Sequence, residues 1–487
     1  MLSRVRLVVR RTLSIVLCGL AGTVLTLLVV FVLYLHNRPD LEVWHLAELD
    51  EEFTENSPVA SFAGYLSLED RLFSQLNDRV YAQTGPAGDD RINRYKRGSL
   101  SDPERWSPNW NRSFLMVADQ PRASVLLLHG LSDSPYSMRS IAERLHGSGA
   151  TVLGLRVPGH GTAPSGLLKV RWQDMAAAVR LAARHLAELQ PGQSIYIVGY
   201  SNGAALAVHY ALATIDDPTL PPVSGLVLLS PEIGVTAAAA FAVWQARLGL
   251  LLGLDKLAWN EILPEYDPFK YGSFAVNAGD LSHRITSEIQ RRLDEVSAQG
   301  QLGQVPPILA FSSVVDATVL APALVENLFN RLQVSGHELV LFDINAQAGI
   351  EPLLSWRPDA MLDALHQKAH ATFTLSLVTN EDAYSKKVIE RSWRPGQQIG
   401  TDRVLGLEWP DDVYSLTHVA LPFPPGDPLY GGQPDRASPG VSLGRLALRG
   451  ERGVLQVSAA QMLRLRWNPF YPYLEERVLD FMALAEP

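Results

Sequence analysis

The sequence has 487 residues, of which 47% are hydrophobic and 19% are charged, and its formal net charge is −9. A chain of this length and composition can bury a large apolar core, and it is long enough for one enlarged globular domain with insertions. The negative charge and the lack of a basic stripe or an RNA-binding motif argue against nucleic acid as a partner. Because Cys18 is the only cysteine, no intramolecular disulfide can form.

The first predicted element is a transmembrane helix. Residues 12–35 are apolar and carry no charge, and about 20 such residues suffice to cross a bilayer core. Residues 1–11 form a basic tail with four arginines, and acidic residues follow the apolar segment. The positive-inside rule therefore predicts a single-pass signal anchor with a cytoplasmic N-terminus and the rest of the chain exported. In a Gram-negative bacterium this is the inner membrane, with the domain facing the periplasm.

Two other interpretations of this segment are less favoured. A cleaved secretory signal normally has a shorter apolar core, of about 7–15 residues, and ends at a small-residue cleavage site. A lipoprotein site at Cys18 would need a small residue before it, where the chain has Leu17. We therefore expect Cys18 to face lipid or a packed neighbour.

Residues 36–115 are polar and mixed, and they are predicted to form a juxtamembrane arm that packs on a globular domain spanning residues 116–487. An amphipathic helix is expected over about Leu66–Tyr81. Three aromatic residues near the end of the arm are interpreted as packing anchors rather than ligand contacts: Trp106, Trp110 and Phe114.

Two apolar runs after the arm predict buried parallel strands that end in glycine-containing loops. Residues 124–128 run into His129-Gly130-Leu131, and residues 151–157 run into Pro158-Gly159-His160-Gly161. A glycine lets the backbone approach a substrate carbonyl, so the amide of Leu131 is a candidate donor to an oxyanion. His129, beside it, is interpreted as a loop-bracing residue.

The stretch Gly199-Tyr200-Ser201-Asn202-Gly203 lies between the apolar run 195–198 and a helix-forming run. This pattern is typical of a nucleophile elbow, a sharp strand-to-helix turn that needs small residues on both sides of the serine. Ser201 is therefore the candidate nucleophile, and the amide of Asn202 is the second candidate oxyanion donor. An ordinary strand-to-helix turn is the alternative.

These three motifs, in this order, resemble those of α/β-hydrolases of the monoglyceride lipase, lysophospholipase and carboxylesterase type. The similarity covers roughly residues 120–232. It implies an α/β fold with a mostly parallel central sheet flanked by helices and a lid insertion, here following the N-terminal transmembrane helix. In that family's pattern His160 shapes its loop, and we expect the same here.

In this fold an acid and then a histidine follow the serine. Asp316 comes just after the apolar run 307–312, which predicts a strand whose end lies on the same sheet edge as Ser201. Asp316 is therefore the candidate acid, with capping of a helix that begins near Val319 as the alternative. Asp343, after the next strand, is the second choice.

His418 lies in a loop before a Pro/Gly cluster and is the candidate general base. More residues separate His418 from Asp316 than separate the acid and the histidine in the compact pattern of the family. This difference implies a second insertion at about 345–413. His337 precedes its strand and thus lies at the wrong end of the sheet. His366 and His370 share a helix face, but no third ligand has convincing spacing, so no metal is predicted.

An insertion at about 231–305 occupies the position of the family's lid. Its first part is rich in Ala and Leu, and Phe241 and Trp244 are candidate substrate-binding residues that would line an acyl pocket. A plain core helix is the equal alternative for this part.

The resemblance implies a serine hydrolase that cleaves carboxylic esters, with lipid acyl esters such as monoacylglycerols or lysophospholipids as substrates. Ser201, Asp316 and His418 would form the catalytic triad, with Leu131 and Asn202 at the oxyanion. A peptidase or amidase, an acyltransferase and a non-catalytic membrane-tethered binding protein remain as alternatives. No cofactor is implied.

Overall fold

The computed structural model describes residues 2–234, 254–333, 336–354, 362, 372–435, 438–446 and 458–485. Its strands are β1 (Phe114–Met116), β2 (Ala123–Leu128), β3 (Ala150–Leu155), β4 (Ile195–Tyr200), β5 (Gly225–Leu229), β6 (Trp259–Glu261), β7 (Phe274–Ala275), β8 (Ile308–Ser313), β9 (Glu338–Phe342), β10 (Thr374–Asn380), β11 (Lys387–Trp393) and β12 (Thr401–Glu408). Its α-helices are α1 (Leu2–Asn37), α2 (Val43–Leu46), α3 (Phe62–Leu76), α4 (Ala82–Thr84), α5 (Arg139–Gly147), α6 (Trp172–Leu189), α7 (Asn202–Asp216), α8 (Val276–Ala298), α9 (Ala321–Asn327), α10 (Ala459–Leu463) and α11 (Tyr471–Phe481).

Ten of the described strands form one sheet in the order β1-β3-β2-β4-β5-β8-β9-β10-β11-β12. All neighbours from β3 to β10 are parallel. Antiparallel pairing is found for β1 with β3 at one edge and for β10, β11 and β12 at the other. The mostly parallel sheet that the sequence predicted is confirmed.

The central strands are buried on both faces, which explains why their sequences are continuous apolar runs rather than alternating patterns. Leu126 and Leu128 of β2 pack on one face, in the same core as helices α6, α7 and α8. Val125 and Leu127 pack on the other face with α5 and α11. The carboxyl ends of β2, β4 and β8 therefore meet at one edge between two helical layers, where α/β sheets bind ligands.

The arm helix and the region 345–413 have features that the sequence did not predict. The helix expected over Leu66–Tyr81 begins earlier, at Phe62, because the Ser61 hydroxyl accepts a hydrogen bond from the Gly64 amide and caps the helix. It ends at Leu76, and a π-helical turn over Asn77–Tyr81 continues it. The region expected as an insertion, 345–413, contains β10, β11 and β12, which extend the main sheet. The helix face expected to carry His366 and His370 lies outside the described residues.

The arm is joined to the sheet through a buried cation. Arg156 follows β3 directly, and its side chain is 0% exposed. Its Nε donates to Glu69 Oε2 at 3.0 Å, and its terminal nitrogens donate to both oxygens of Glu52 at 2.9 and 3.0 Å. Both glutamates belong to the arm, so the arm supplies the counter-charges of a residue in the domain core. A buried cation with these partners is costly to leave unpaired.

We expect the substitution Glu69→Gln to destabilise the protein by about 3 kcal/mol, because it leaves Arg156 buried with only part of its counter-charge. The measurement is urea unfolding of the full chain in detergent. Glu51→Gln is the matched control: Glu51 pairs with Arg71 at the surface, where an ion pair contributes about 1 kcal/mol or less. Equal losses in the two variants would contradict the assigned role of the buried pair.

Candidate active site

The turn between β4 and α7 holds Ser201 in a conformation that few residues adopt. Its φ is 54° and its ψ is −116°, a region that is strained for a residue with a side chain. The turn is also tightly packed. A Cβ at Gly203 would overlap the carbonyl oxygen of Leu128 and lie 2.6 Å from that of His129, and a Cβ at Gly199 would lie 2.5 Å from the carbonyl oxygen of Gly203. The two glycines therefore allow the crossing of β2, β4 and α7 that places Ser201 at the carboxyl edge of the sheet.

The structure brings Ser201, His418 and Asp316 into one hydrogen-bonded chain. The Nε2 atom of His418 lies 3.0 Å from the Oγ of Ser201, and its Nδ1 lies 2.8 Å from the Oδ2 of Asp316. All three residues are buried, with exposures of 8% for Ser201, 6% for His418 and 3% for Asp316. This arrangement allows a proton to move from the serine to the imidazole while the carboxylate fixes the ring.

Asp316 also orders the loop in which it lies. Its Oδ1 accepts hydrogen bonds from the backbone amides of Thr318 and Val319 at 2.8 and 2.9 Å, so the capping interaction and the contact with His418 use different oxygens. Burial raises the pKa of this carboxyl, but His418 and the two amides outweigh it and lower the pKa below its ordinary value. The carboxylate is therefore charged at neutral pH.

The second candidate acid, Asp343, is engaged elsewhere. Its Oδ2 accepts from the hydroxyl of Thr379 at 2.8 Å, and its Oδ1 accepts from the amide of Ile344.

His337 precedes β9, and its carbonyl accepts from the amide of Thr374 at the start of β10. That position is at the amino end of the parallel strands, away from Ser201. His366, His370, Phe241 and Trp244 lie outside the described residues.

Leu131 and Asn202 lie at the two backbone positions expected for oxyanion donors. Asn202 is the first residue of α7, where backbone N–H groups lack partners within the helix. Leu131 follows Gly130, whose missing side chain matters because a Cβ there would lie 2.9 Å from both Asp133 and Tyr200. Within the described part of the chain, neither amide donates to another protein group.

Two histidines near this edge brace the loops. His129 Nε2 accepts a hydrogen bond from the Val157 amide at 3.0 Å, and its Nδ1 lies 2.9 Å from the Gly130 carbonyl oxygen. Burial lowers the pKa of His129 well below its ordinary value and that of His160 to about 4. Both rings are therefore neutral. The His129 ring connects two backbone groups, whereas the His160 ring contacts one, the Pro158 carbonyl oxygen, which lies 3.0 Å from its Nδ1.

A cavity of about 620 Å³ opens at Ser201 and His418. Sequence reasoning missed several polar residues that line it, because they lie in irregular segments without a motif: Glu232, Tyr266, Lys270, Arg464 and Arg466. The Oε2 of Glu232 accepts from the Asn202 side chain at 3.0 Å, and burial raises the pKa of this glutamate.

Within the described ranges, no three His, Cys, Asp or Glu side chains cluster as a metal site requires.

A parallel sheet with a serine on a strained turn at its carboxyl edge defines the class, an α/β-hydrolase. Residues 119–344 match the family described as serine aminopeptidase, S33. A thermostable monoacylglycerol lipase from Bacillus sp. (strain H-257) is 26% identical over 223 residues, which are 46% of this chain and 82% of that protein. These matches confirm the resemblance found in the motifs: the chain has the α/β-hydrolase fold and is a serine hydrolase.

Two lipases are among the solved structures to which this chain is similar. The monoacylglycerol lipase of Paleococcus ferrophilus is 19% identical, with a TM-score of 0.36, and the match covers 47% of this chain and 88% of that one. A monoglyceride lipase from Saccharomyces cerevisiae is 16% identical, with a TM-score of 0.35, and the match covers 47% and 81%.

The packing at the turn predicts that Gly203→Ala lowers ester hydrolysis by about 10²-fold or more, because the added Cβ forces α7 away from β2 and displaces Ser201. Initial rates with a p-nitrophenyl ester measure the effect, with circular dichroism to check the fold. Gly147→Ala, at the end of α5, is the control because nothing lies within 4 Å of its Cβ position. Full activity of Gly203→Ala would contradict the assigned close packing.

Proposed function

We propose that this chain is a membrane-anchored serine hydrolase that cleaves carboxylic esters, with acyl lipids as substrates, through a Ser201, His418 and Asp316 triad. The observation that carries the proposal is the position of His418, which lies within hydrogen-bond distance of Ser201 on one side and Asp316 on the other. The match to a monoacylglycerol lipase supports the reaction type.

In the first step His418 Nε2 accepts the proton of the Ser201 hydroxyl while Oγ attacks the ester carbonyl carbon. The other ring nitrogen donates to Asp316, which fixes the tautomer and stabilises the imidazolium as it forms. Because both His418 and Asp316 are buried, this charge interaction is screened less than it would be in water.

The carbonyl oxygen becomes negatively charged in the tetrahedral intermediate. The amides of Leu131 and Asn202 would bind that oxygen, and the amino end of α7 adds a favourable dipole. The imidazolium of His418 then protonates the leaving alcohol, which departs and leaves an acyl-serine. Water, deprotonated by His418, hydrolyses the acyl-serine and restores the enzyme.

The membrane part of the proposal rests on α1. Within Arg11–Asn37 of this helix, the most apolar stretch of 18 residues has a mean hydropathy of 2.7, and Leu13, Ile15, Leu20 and Leu25 are each more than half exposed. A helix of this length and composition is expected to cross a bilayer, with its N-terminus cytoplasmic because of the arginines before residue 12.

The end of α1 is close to the substrate cavity. Arg38, the first residue after the helix, donates to the carbonyl oxygens of Lys256 and Asn260 at 2.7 and 3.0 Å. Asn260 lines the cavity and belongs to the region 231–305, where a lid is expected. The roles of Phe241 and Trp244 at the acyl chain remain part of the proposal.

The description of the matched family favours a second candidate, a serine aminopeptidase. The same triad chemistry cleaves amides and peptides. Rates of acid release from an ester, an anilide and an unblocked dipeptide with one shared acyl group separate the two functions.

We expect Ser201→Ala and His418→Ala to lower kcat for esters by at least about 10³-fold and Asp316→Asn by about 10⁴-fold, because each removes a part of the proton-transfer chain. In parallel, a fluorophosphonate probe should label Ser201 in the parent protein and should not react when His418 is replaced. Mass spectrometry of the labelled peptide identifies the site.

Two controls match these variants. Asp343→Asn changes a carboxylate that bonds Thr379, and Ser137→Ala removes a buried hydroxyl that bonds the Ser134 carbonyl; both should retain the parent rate. If folded protein carries no adduct, the non-catalytic binding protein becomes the better description. Labelling that does not depend on His418 would reject this histidine as the base.

The anchor predicts that the full chain stays with membranes after washing with alkaline carbonate, because an apolar helix that spans the bilayer is not extracted by high pH or salt. Intact-mass measurement should find residues 12–35 still attached. A version that lacks residues 1–36 is the control and should appear in the soluble fraction. A mature protein that lacks the apolar segment would instead establish a cleaved signal.

A further inference from the structure

Two arginines line the cavity beside the proposed triad. Arg464 and Arg466 flank Leu465, whose carbonyl oxygen accepts a hydrogen bond from the hydroxyl of Thr417 at 2.6 Å. Thr417 directly precedes His418, so this bond fixes the arginine-bearing segment next to the proposed base. Both side chains face the cavity that contains Ser201.

Arg466 is a buried cation with few partners. It is 8% exposed, and one terminal nitrogen donates to the Tyr266 hydroxyl at 2.9 Å. Within the described residues its Nε is buried without a hydrogen-bond partner, and no carboxylate lies within ion-pair distance. The buried Arg156, by contrast, forms ion pairs with two glutamates. Asp267 provides counter-charge to Arg466 without a direct ion-pair contact. The buried Nε of Arg466 still lacks a hydrogen-bond partner among the described residues, and an anion in the cavity would supply one.

Arg464 adds a second positive charge from the same segment. It is partly buried and has no ion pair in the part of the chain that the structure describes. Arg464 and Arg466 are two residues apart on an extended stretch, and side chains at that spacing point to the same side. A guanidinium presents several N–H donors in a planar fork, which suits the oxygens of a phosphate or carboxylate.

Three of the four acidic residues that line the cavity are already engaged. Asp133 pairs with Lys270 at 2.9 Å. Asp267 accepts from the Tyr430 hydroxyl and from backbone amides, so it attracts Arg466 only from beyond ion-pair distance. Glu232 accepts from the Asn202 side chain. Glu261, the remaining carboxylate, is exposed. The arginines therefore keep their capacity to bind an anionic ligand.

We infer that the cavity selects acyl esters whose alcohol part carries an anionic group, a phosphate or a carboxylate, bound by Arg464 and Arg466. This inference rests on the proposed function, since it assigns the substrate class of the same site. The acyl carbonyl would lie at Ser201 while the anion lies against the guanidinium groups, so the arginines choose between neutral and anionic esters of one acyl chain.

The test compares two substrates with the same acyl chain, monolauroylglycerol and lauroyl lysophosphatidic acid, with the full-length protein in neutral detergent micelles. We expect kcat/KM to favour the phosphate ester, and we expect Arg464→Gln and Arg466→Lys to lower that preference at least 10-fold, mainly through KM. Arg71→Gln, at an exposed arginine outside the cavity, should keep the parent preference. Because Arg464 is only partly buried, its variant gives a result even if substitution of Arg466 impairs folding.

A binding measurement separates this inference from the proposed function. Calorimetry on Ser201→Ala protein with lauroyl lysophosphatidic acid should show binding that weakens at least 10-fold when Arg464→Gln is added, and inorganic phosphate or glycerol phosphate should compete if the headgroup alone is recognised. Retained binding without hydrolysis of any ester by the parent protein would reject the proposed reaction and keep the anion site. Hydrolysis without preference for the phosphate ester, or binding insensitive to both arginines, would overturn the anion site alone.

Discussion

The close crossing of β2, β4 and α7 is the constraint on which the site depends. At Gly203 the backbone of α7 lies so near the end of β2 that no side chain fits. This contact keeps the chain turning sharply at Ser201 and holds its φ positive. It also brings the loop after β2, which contains Leu131, against the start of α7. The nucleophile and both candidate oxyanion donors are therefore positioned by one packing contact between backbone atoms.

Much of the fold could be predicted because its determinants are local. Continuous apolar runs indicate strands covered on both faces, and glycine spacing indicates the turn at Ser201. Asp316 and His418 were selected by chain order, and the structure brings their side chains within hydrogen-bond distance. The extension of the sheet by β10, β11 and β12 was missed, since strand pairing between distant segments leaves no pattern in a single sequence.

The polar lining of the cavity shows the same limit of sequence reasoning. Glu232, Arg464 and Arg466 come from irregular segments far apart in the chain, and only the fold brings them around one volume. A sequence does not reveal which of its arginines are buried or which already have counter-ions. Arg156 forms ion pairs with Glu52 and Glu69 of the arm, whereas Arg466 forms a hydrogen bond to a tyrosine hydroxyl and no direct ion pair within the described residues. This contrast becomes visible only in three dimensions.

The bonds from Arg38 to Lys256 and Asn260 tie the end of α1 to the wall of the cavity. In a chain anchored as proposed, the cavity mouth stays within the reach of one side chain from the bilayer surface. A lipid substrate would then arrive by lateral diffusion within the leaflet, and turnover would depend on its mole fraction in the membrane rather than on its concentration in water. The anchor would thus place the reaction at the membrane and also confine the encounter of enzyme and substrate to two dimensions.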